Sequence, residues 1–363
     1  MSWNSKGGIL ETEILSDDEY WSLFNFVFSE QSKKTSTYKF ALVKSILDNL
    51  FNNVPQEDFQ LISYKDIFSK FAESFWNLVV KYHLHQQKPT IEGKTSKIEQ
   101  IFNSATGKNP VLENIEFASI EAETKESLIK KVQAECKKYV LGALYSDFGG
   151  KIYEFSENGS SIKVSNGAYQ FMIKYKSELE KLNYYSWAKF LEKANEENVL
   201  YGLLSKLELS LPKRSPLDIF RKILFTEFEE NNCFYCGKKL SAANGKIHVD
   251  HFIPWSFIKE DKLWNFVLSC PECNTKKSNC LPPRDTVARI QKRNRIIILS
   301  SQEEAATLNI SADDTDFIKS QFKNYEQNLI PRLWQYAKYA GLRTMQTTYY
   351  IPPDFGNLKV AEP

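Results

Sequence analysis

Four of the chain's six cysteines form two Cys-x-x-Cys pairs, Cys233 with Cys236 and Cys270 with Cys273. Each pair can place two thiolates on one face of a turn, and four thiolates complete the tetrahedral coordination of a zinc ion. A closed set of four leaves no position for water, so we expect a structural Zn²⁺ at these cysteines. The cysteines alone predict a zinc ribbon without catalysis equally well.

The segment between the two pairs holds an aspartate, a histidine and two asparagines, namely Asp250, His251, Asn265 and Asn274. A histidine of ordinary pKa, about 6.5, can accept a proton from water near neutral pH. His251 is therefore the candidate general base for hydrolysis of a phosphodiester. The carboxylate of Asp250 and the amide oxygen of Asn274 suit a hard cation, Mg²⁺ or Mn²⁺, which would offset charge on the phosphate and on the departing oxygen.

Short elements are predicted to position these side chains. KIHVD indicates a strand that ends at Asp250 and His251, and FVLS indicates a second strand preceded by Asn265. Pro271 suits the first position of a helix, which puts Asn274 in its early turns. We therefore expect a strand, a loop, a strand and a helix between and beyond the cysteine pairs.

This stretch resembles the HNH, or ββα-metal, endonucleases, which carry an Asp-His at the end of strand one, an Asn before strand two, and a His or Asn on the helix. Within it, residues 248 to 279 are most similar to the HNH domain of the RNA-guided CRISPR DNA endonucleases. The matching motifs are Val249-Asp250-His251, Pro254-x-Ser256-Phe257, Asn265-x-Val267-Leu268 and Asn274.

The resemblance covers about a tenth of the chain. The chain is far shorter than the CRISPR enzymes and lacks a RuvC-like half and an arginine-rich bridge helix, so it is not one of them. Its four cysteines are similar to those of zinc-stapled HNH proteins among restriction and phage-defence nucleases. The resemblance implies that Asn265 fixes the loop between the strands through side-chain hydrogen bonds, and that double-stranded DNA is the substrate.

Positive charge is concentrated around this segment. Residues 231 to 300 contain 12 Lys and Arg against 5 Asp and Glu, a net charge of +7, whereas the whole chain carries +2 and the remainder therefore −5. Such a distribution favours phosphate binding, with a solvated basic helix face as the alternative. The candidate nucleic-acid contacts are Lys276, Lys277, Arg284, Lys292 and Arg293. Strand alternation puts His248 on the same face of the strand as Asp250. There it could approach the metal or DNA, or simply lie in solvent, and we favour the solvent-exposed position.

The rest of the chain predicts a mainly α fold with a small α+β insert. Apolar spacing indicates helices over 35–51, 66–85, 168–182, 184–195 and 316–341, the last interrupted at Pro331. Asn158-Gly159 predicts a hairpin over 151–165. We expect a helical N-terminal domain over 1–210, the zinc-stapled HNH domain over 211–300, and a C-terminal helical segment over 301–363.

These features predict a cytoplasmic, metal-dependent DNA endonuclease. The N-terminus lacks the pattern of a secretory signal, and no apolar run is long enough to span a bilayer. The resemblance implies a setting in restriction or anti-phage defence. A DNA-binding scaffold whose zinc module lacks catalysis, and a nuclease that cuts RNA, are the alternatives. A regulatory protein partner and a homo-oligomer both stay open, and the helical region would act as a platform for DNA or a partner.

Overall fold

The computed structural model confirms a mainly helical fold with small sheets. Its contacts divide the chain into two units, residues 1–211 and 212–363, so the predicted C-terminal segment groups with the HNH segment. No helix in the described part of the chain is long and apolar enough to cross a membrane. The described residues are 6–11, 15–90, 93–208, 217–227, 231–241, 247–301, 312–322 and 325–345.

Eight α-helices are present in the described part of the first unit. Helical structure is found in all four predicted segments, 35–51, 66–85, 168–182 and 184–195. The expected boundary near residue 183 is wrong, because one helix ends at Lys174 and the next runs from Lys176 to Ala194. The helix that begins at Tyr64 continues from residue 77 to 81 as a π-helix. Aromatic residues of these helices form the core, as in the contact of Phe75 with Trp187 at 5.5 Å between ring centroids. The helices are α1 (Asp17–Phe28), α2 (Tyr38–Asp48), α3 (Tyr64–Trp76), α4 (Lys97–Lys108), α5 (Ala122–Asp147), α6 (Asn166–Lys174), α7 (Lys176–Ala194) and α8 (Leu203–Glu208).

The predicted hairpin belongs to a larger antiparallel sheet. Five strands lie in the order β1, β4, β5, β3, β2, and the hairpin supplies β4 and β5. Buried and half-buried residues alternate along β3 and β5, so one face of the sheet packs on the helices. The strands are β1 (Gly7–Gly8), β2 (Val54–Pro55), β3 (Phe59–Ser63), β4 (Tyr153–Ser156) and β5 (Ser161–Ser165).

The second unit contains the predicted strand, loop, strand and helix, surrounded by further helices. Pro331 lies in the first turn of α14, where proline is tolerated, so the predicted interruption is the start of a new helix. Phe220 and Phe266 pack at 4.6 Å between ring centroids and join the start of the unit to its small sheet. The elements are α9 (Asp218–Lys222), β6 (His248–His251), α10 (Trp255–Ile258), β7 (Phe266–Ser269), α11 (Pro271–Lys277), α12 (Val287–Ser301), α13 (Ala312–Phe322) and α14 (Leu329–Tyr339).

Candidate active site

The four cysteines come together at the edge of the small sheet. Their sulfur atoms all lie within 4.8 Å of one another, and the Sγ atoms of Cys236 and Cys270 are 3.8 Å apart. Tetrahedral zinc with Zn–S bonds of about 2.3 Å requires sulfur atoms about 3.8 Å apart, so the cluster could hold a zinc ion. Burial and the neighbouring Cys233 thiol raise the pKa of Cys273, since crowded thiolates repel one another. A divalent cation would remove that repulsion.

Helix α11 lies along one face of β6, and two polar pairs join them. Near the start of β6, Nδ1 of His248 lies 3.0 Å from Nδ2 of Asn274. Near its end, Nζ of Lys277 lies 3.1 Å and 3.3 Å from the two carboxylate oxygens of Asp250 and donates to the carbonyl oxygen of His251 at 2.7 Å. The side chains of His248, Asp250 and Asn274 therefore share this side of the hairpin. His248 is half-buried beside Asn274 and does not simply point into solvent.

Asp250 is a buried carboxylate with two hydrogen-bond donors. The Tyr235 hydroxyl donates to Oδ2 of Asp250 at 2.6 Å, and Lys277 is the second donor. Burial and the negative charge of Asp250 raise the pKa of Tyr235, so this hydroxyl keeps its proton and donates. Tyr235 lies inside the first Cys-x-x-Cys pair. The turn of the first Cys-x-x-Cys pair thereby reaches the carboxylate directly, a contact that sequence reasoning missed.

His251 is held on two sides. Its Nε2 lies 2.8 Å from Oδ1 of Asp261, and the side chains of both residues are less than a tenth exposed. Its ring packs against Phe266, the residue opposite it on β7, at 4.5 Å between centroids. Asp261 lies in the loop between the two strands, ten residues from His251. No local sequence signal marks this aspartate, because the loop alone brings it to the imidazole.

Asn265 is fully buried and fixes the same loop at its base. Its Oδ1 accepts a hydrogen bond from the Ile253 N–H at 2.8 Å, and its Nδ2 donates to the Ile253 carbonyl at 2.9 Å. The backbone of Phe252 adds a third bond, from its N–H to the Asn265 carbonyl. Side-chain hydrogen bonds of this kind are what the resemblance implies, and they close the loop directly after His251.

The predicted basic contacts divide into exposed and internal residues. Lys276, Arg284 and Lys292 are exposed, and Lys276 pairs with Glu272. The prediction that Lys277 contacts nucleic acid is wrong, because Lys277 is fully buried against Asp250 and cannot present its ammonium to a phosphate. Arg293 is also engaged internally, because its guanidinium donates to the Phe266 carbonyl at 2.7 Å and to the Asn294 side chain at 3.0 Å.

Comparison with known proteins matches the residues of this site to a family model over part of the chain. Neither a curated protein nor a solved structure matches the chain. Residues 233–283, which run from the first Cys-x-x-Cys pair to just beyond α11, match a family model described as HNH endonuclease. That segment contains all four cysteines and all four of the polar residues predicted to act in hydrolysis. The chain therefore carries a segment that matches the HNH endonuclease family model.

Proposed function

We propose that this chain is an endonuclease that hydrolyses DNA phosphodiester bonds, with His251 as the general base. The observation that carries the proposal is the pairing of His251 with Asp261 at the end of β6, one residue after Asp250. Successive residues of a strand point to opposite faces, so Asp250 and His251 approach the end of β6 from two sides. A phosphodiester that crosses this end would meet both.

Asp261 orients His251 for proton transfer. A carboxylate that accepts from the Nε2–H favours the tautomer whose lone pair is on Nδ1. That nitrogen would take the proton from the attacking water. The imidazolium that forms would be stabilised by the Asp261 carboxylate, which is within hydrogen-bond distance and largely shielded from water.

Asp250 and Asn274 would hold the catalytic cation, Mg²⁺ or Mn²⁺. A carboxylate can accept about four hydrogen bonds or metal bonds, so the donors Tyr235 and Lys277 leave Asp250 with capacity for an ion. With the Asn274 amide nitrogen on His248, the amide oxygen faces elsewhere and suits the same ion. A bound divalent ion supplies positive charge that stabilises the phosphate and the departing oxygen. The donor set of oxygens fits a hard cation.

The four-cysteine cluster would hold a second, structural ion, Zn²⁺. Through Tyr235 it would fix Asp250, and through the hydrogen bond from the Phe234 N–H to the Leu268 carbonyl, at 2.9 Å, it would fix β7. A role in restriction or anti-phage defence, a cytoplasmic location and a preference for double-stranded DNA rest on the resemblance alone. A protein partner or a second copy would act through the first unit.

Cleavage of plasmid DNA by the purified full chain with Mg²⁺ or Mn²⁺ tests the proposal. We expect nicking or cutting that His251→Ala abolishes while zinc content and circular dichroism stay unchanged. His83→Asn is the matched control, because His83 is exposed and has a φ of 51°, which asparagine tolerates. Equal cleavage by His251→Ala would refute the assignment of the base. Cleavage of RNA alone would support the RNA nuclease, and binding without cleavage would support the scaffold.

A further inference from the structure

Two hollows lie side by side on the first unit and share the side chain of Lys97. One, of about 260 Å³, lies between the segment that precedes α2, the start of α4, and α5. The other, of about 370 Å³, lies between α4 and α5. Lysines line both hollows: Lys33, Lys34, Lys39 and Lys97 the first, and Lys97, Lys108 and Lys131 the second.

Most of this positive charge has no acidic partner. Lys39 pairs with Asp147 at 2.6 Å, and Glu135, the one acidic side chain among the lining residues, pairs with Lys138 at 3.3 Å. In the described part of the chain, the five other lysines form no ion pair. We call these five the α4 face: Lys33, Lys34, Lys97, Lys108 and Lys131. The chain outside residues 231–300 carries a net charge of −5, so these five lysines concentrate positive charge in a part of the chain that is acidic as a whole.

Lys34 is a half-buried lysine of the α4 face, and Lys39 on the wall of the same hollow is the nearby positive charge that acts on it. Its Nζ donates to the carbonyl oxygens of Ser29 at 2.7 Å and Ser32 at 3.1 Å, and burial together with the charge of Lys39 lowers its pKa to about 8. An anion bound in the hollow would reverse this effect. Lys97 is the first residue of α4, whose N-terminal end adds partial positive charge.

The spacing of the lysines selects an extended anion. Lys97 and Lys108 lie at the two ends of α4, which are about 16 Å apart at a rise of 1.5 Å per residue. Phosphates of one DNA strand follow one another every 3.4 Å or so along the axis, so this distance spans about five of them. A single small anion would engage only one of the two hollows. An extended polyanion, such as a chain of phosphates, would contact the exposed lysines of both hollows together.

We propose that the α4 face binds the phosphate backbone of nucleic acid and so serves as a docking surface separate from the HNH segment. The class of partner rests on the proposed nuclease function, whereas the charge and the spacing are independent of it. Contacts of this kind position a substrate and carry no sequence information.

Binding measured at a series of salt concentrations tests the proposal, with the full chain carrying His251→Ala so that the probe stays intact. The probes are a labelled DNA duplex of about 30 base pairs and a labelled single-stranded RNA of about 30 nucleotides. The logarithm of the affinity falls linearly with the logarithm of the salt concentration, with a slope of about 0.9 per phosphate contact on duplex DNA and about 0.7 on single strands. The test variant is Lys97→Ala/Lys108→Ala/Lys131→Ala, since all three side chains are exposed. The matched control replaces three exposed lysines outside both hollows, Lys65, Lys181 and Lys189.

We expect the magnitude of the salt slope to fall by about two to three in the test variant, which is about one for each lysine in contact. The control variant should keep the original slope. A loss with DNA alone assigns the surface to DNA, and a loss with RNA alone assigns it to RNA. Equal slopes for the test and control variants, with both probes, would overturn the proposal. Binding is measured without cleavage, so a reduced salt slope would support the docking surface even if the nuclease assay failed. The proposed docking surface and the proposed nuclease activity can therefore be refuted independently.

Discussion

Oδ1 of Asp261 lies 2.8 Å from Nε2 of His251, in a loop that Asn265 ties to the end of β6. Both partners of this contact are nearly inaccessible to water, so the carboxylate acts on the imidazole through a short bond in a medium of low polarity. In the proposed reaction this contact would set which ring nitrogen carries the proton. It would therefore connect the conformation of the loop between the strands to the proposed chemistry at His251.

We predict that Asp261→Asn lowers kcat by about 10- to 100-fold and leaves KM nearly unchanged, because the substitution removes the charge that orients and stabilises the base. Steady-state cleavage of a short duplex measures both constants. Glu260→Gln is the control, because it removes the charge of the neighbouring carboxylate in the same loop, which pairs with Lys262 at 3.4 Å. In a His251→Ala background the Asp261 change should have no further effect on residual cleavage. An equal further loss there would show that Asp261 acts only through the fold.

Adjacent lysines on α11 should differ sharply in their contribution to stability. Lys277→Met leaves the buried carboxylate of Asp250 without its ammonium partner, and we expect the free energy of unfolding of the second unit to fall by about 3 to 5 kcal/mol. Lys276→Met should leave that energy close to its original value, because the ammonium of Lys276 is exposed and pairs with exposed Glu272. Denaturant titration with a dye that reports zinc release follows this unit. Equal effects of the two substitutions would contradict the buried ion pair.

Sequence reasoning predicted what is local along the chain. The cysteine spacing, the Asp-His step and the proline at the start of α11 each act within a few residues, and alternation along β6 places His248 and Asp250 on one face. The two-residue strands β1 and β2 carry no alternation and were missed. The helix over 122–147 was missed as well. Its hydrophobic stripe is diluted by charged residues over most of its length.

The contacts that tune the site could not be predicted, because each depends on packing across the fold. Tyr235 contacts Asp250 from inside the first Cys-x-x-Cys pair, and Asp261 reaches His251 only because the loop folds back. Lys277 looked like a phosphate ligand from its position in a basic run. The turn of α11 instead directs it inward, three residues after Asn274, onto the same face of the helix.

Removal of the two kinds of metal should have different effects. Zinc binding at such sites is worth about 10 kcal/mol or more, so a strong chelator should unfold the second unit and abolish cleavage in a way that Mg²⁺ alone does not restore. Omission of Mg²⁺ should stop cleavage and leave zinc content and circular dichroism unchanged. Cys273→Ala should reproduce the loss of zinc, and Cys280→Ala, a half-buried cysteine outside the cluster, should not. Full folding of the zinc-free protein would contradict a structural role for the cluster.

Asn265→Ala should lower activity because it loosens the loop between the strands, and not because it removes a contact with the substrate. The substitution leaves the buried N–H and carbonyl of Ile253 without their side-chain partners, which costs about 1 to 3 kcal/mol for each group. Because the loop carries Asp261, we expect kcat to fall with KM little changed. We also expect the Ile253 amide to exchange with solvent faster by a factor that matches the lost stability. Asn114→Ala is the control, since Asn114 is an exposed asparagine outside the loop between the strands. Retained protection of the Ile253 amide together with a lost kcat would instead place Asn265 in direct contact with the substrate.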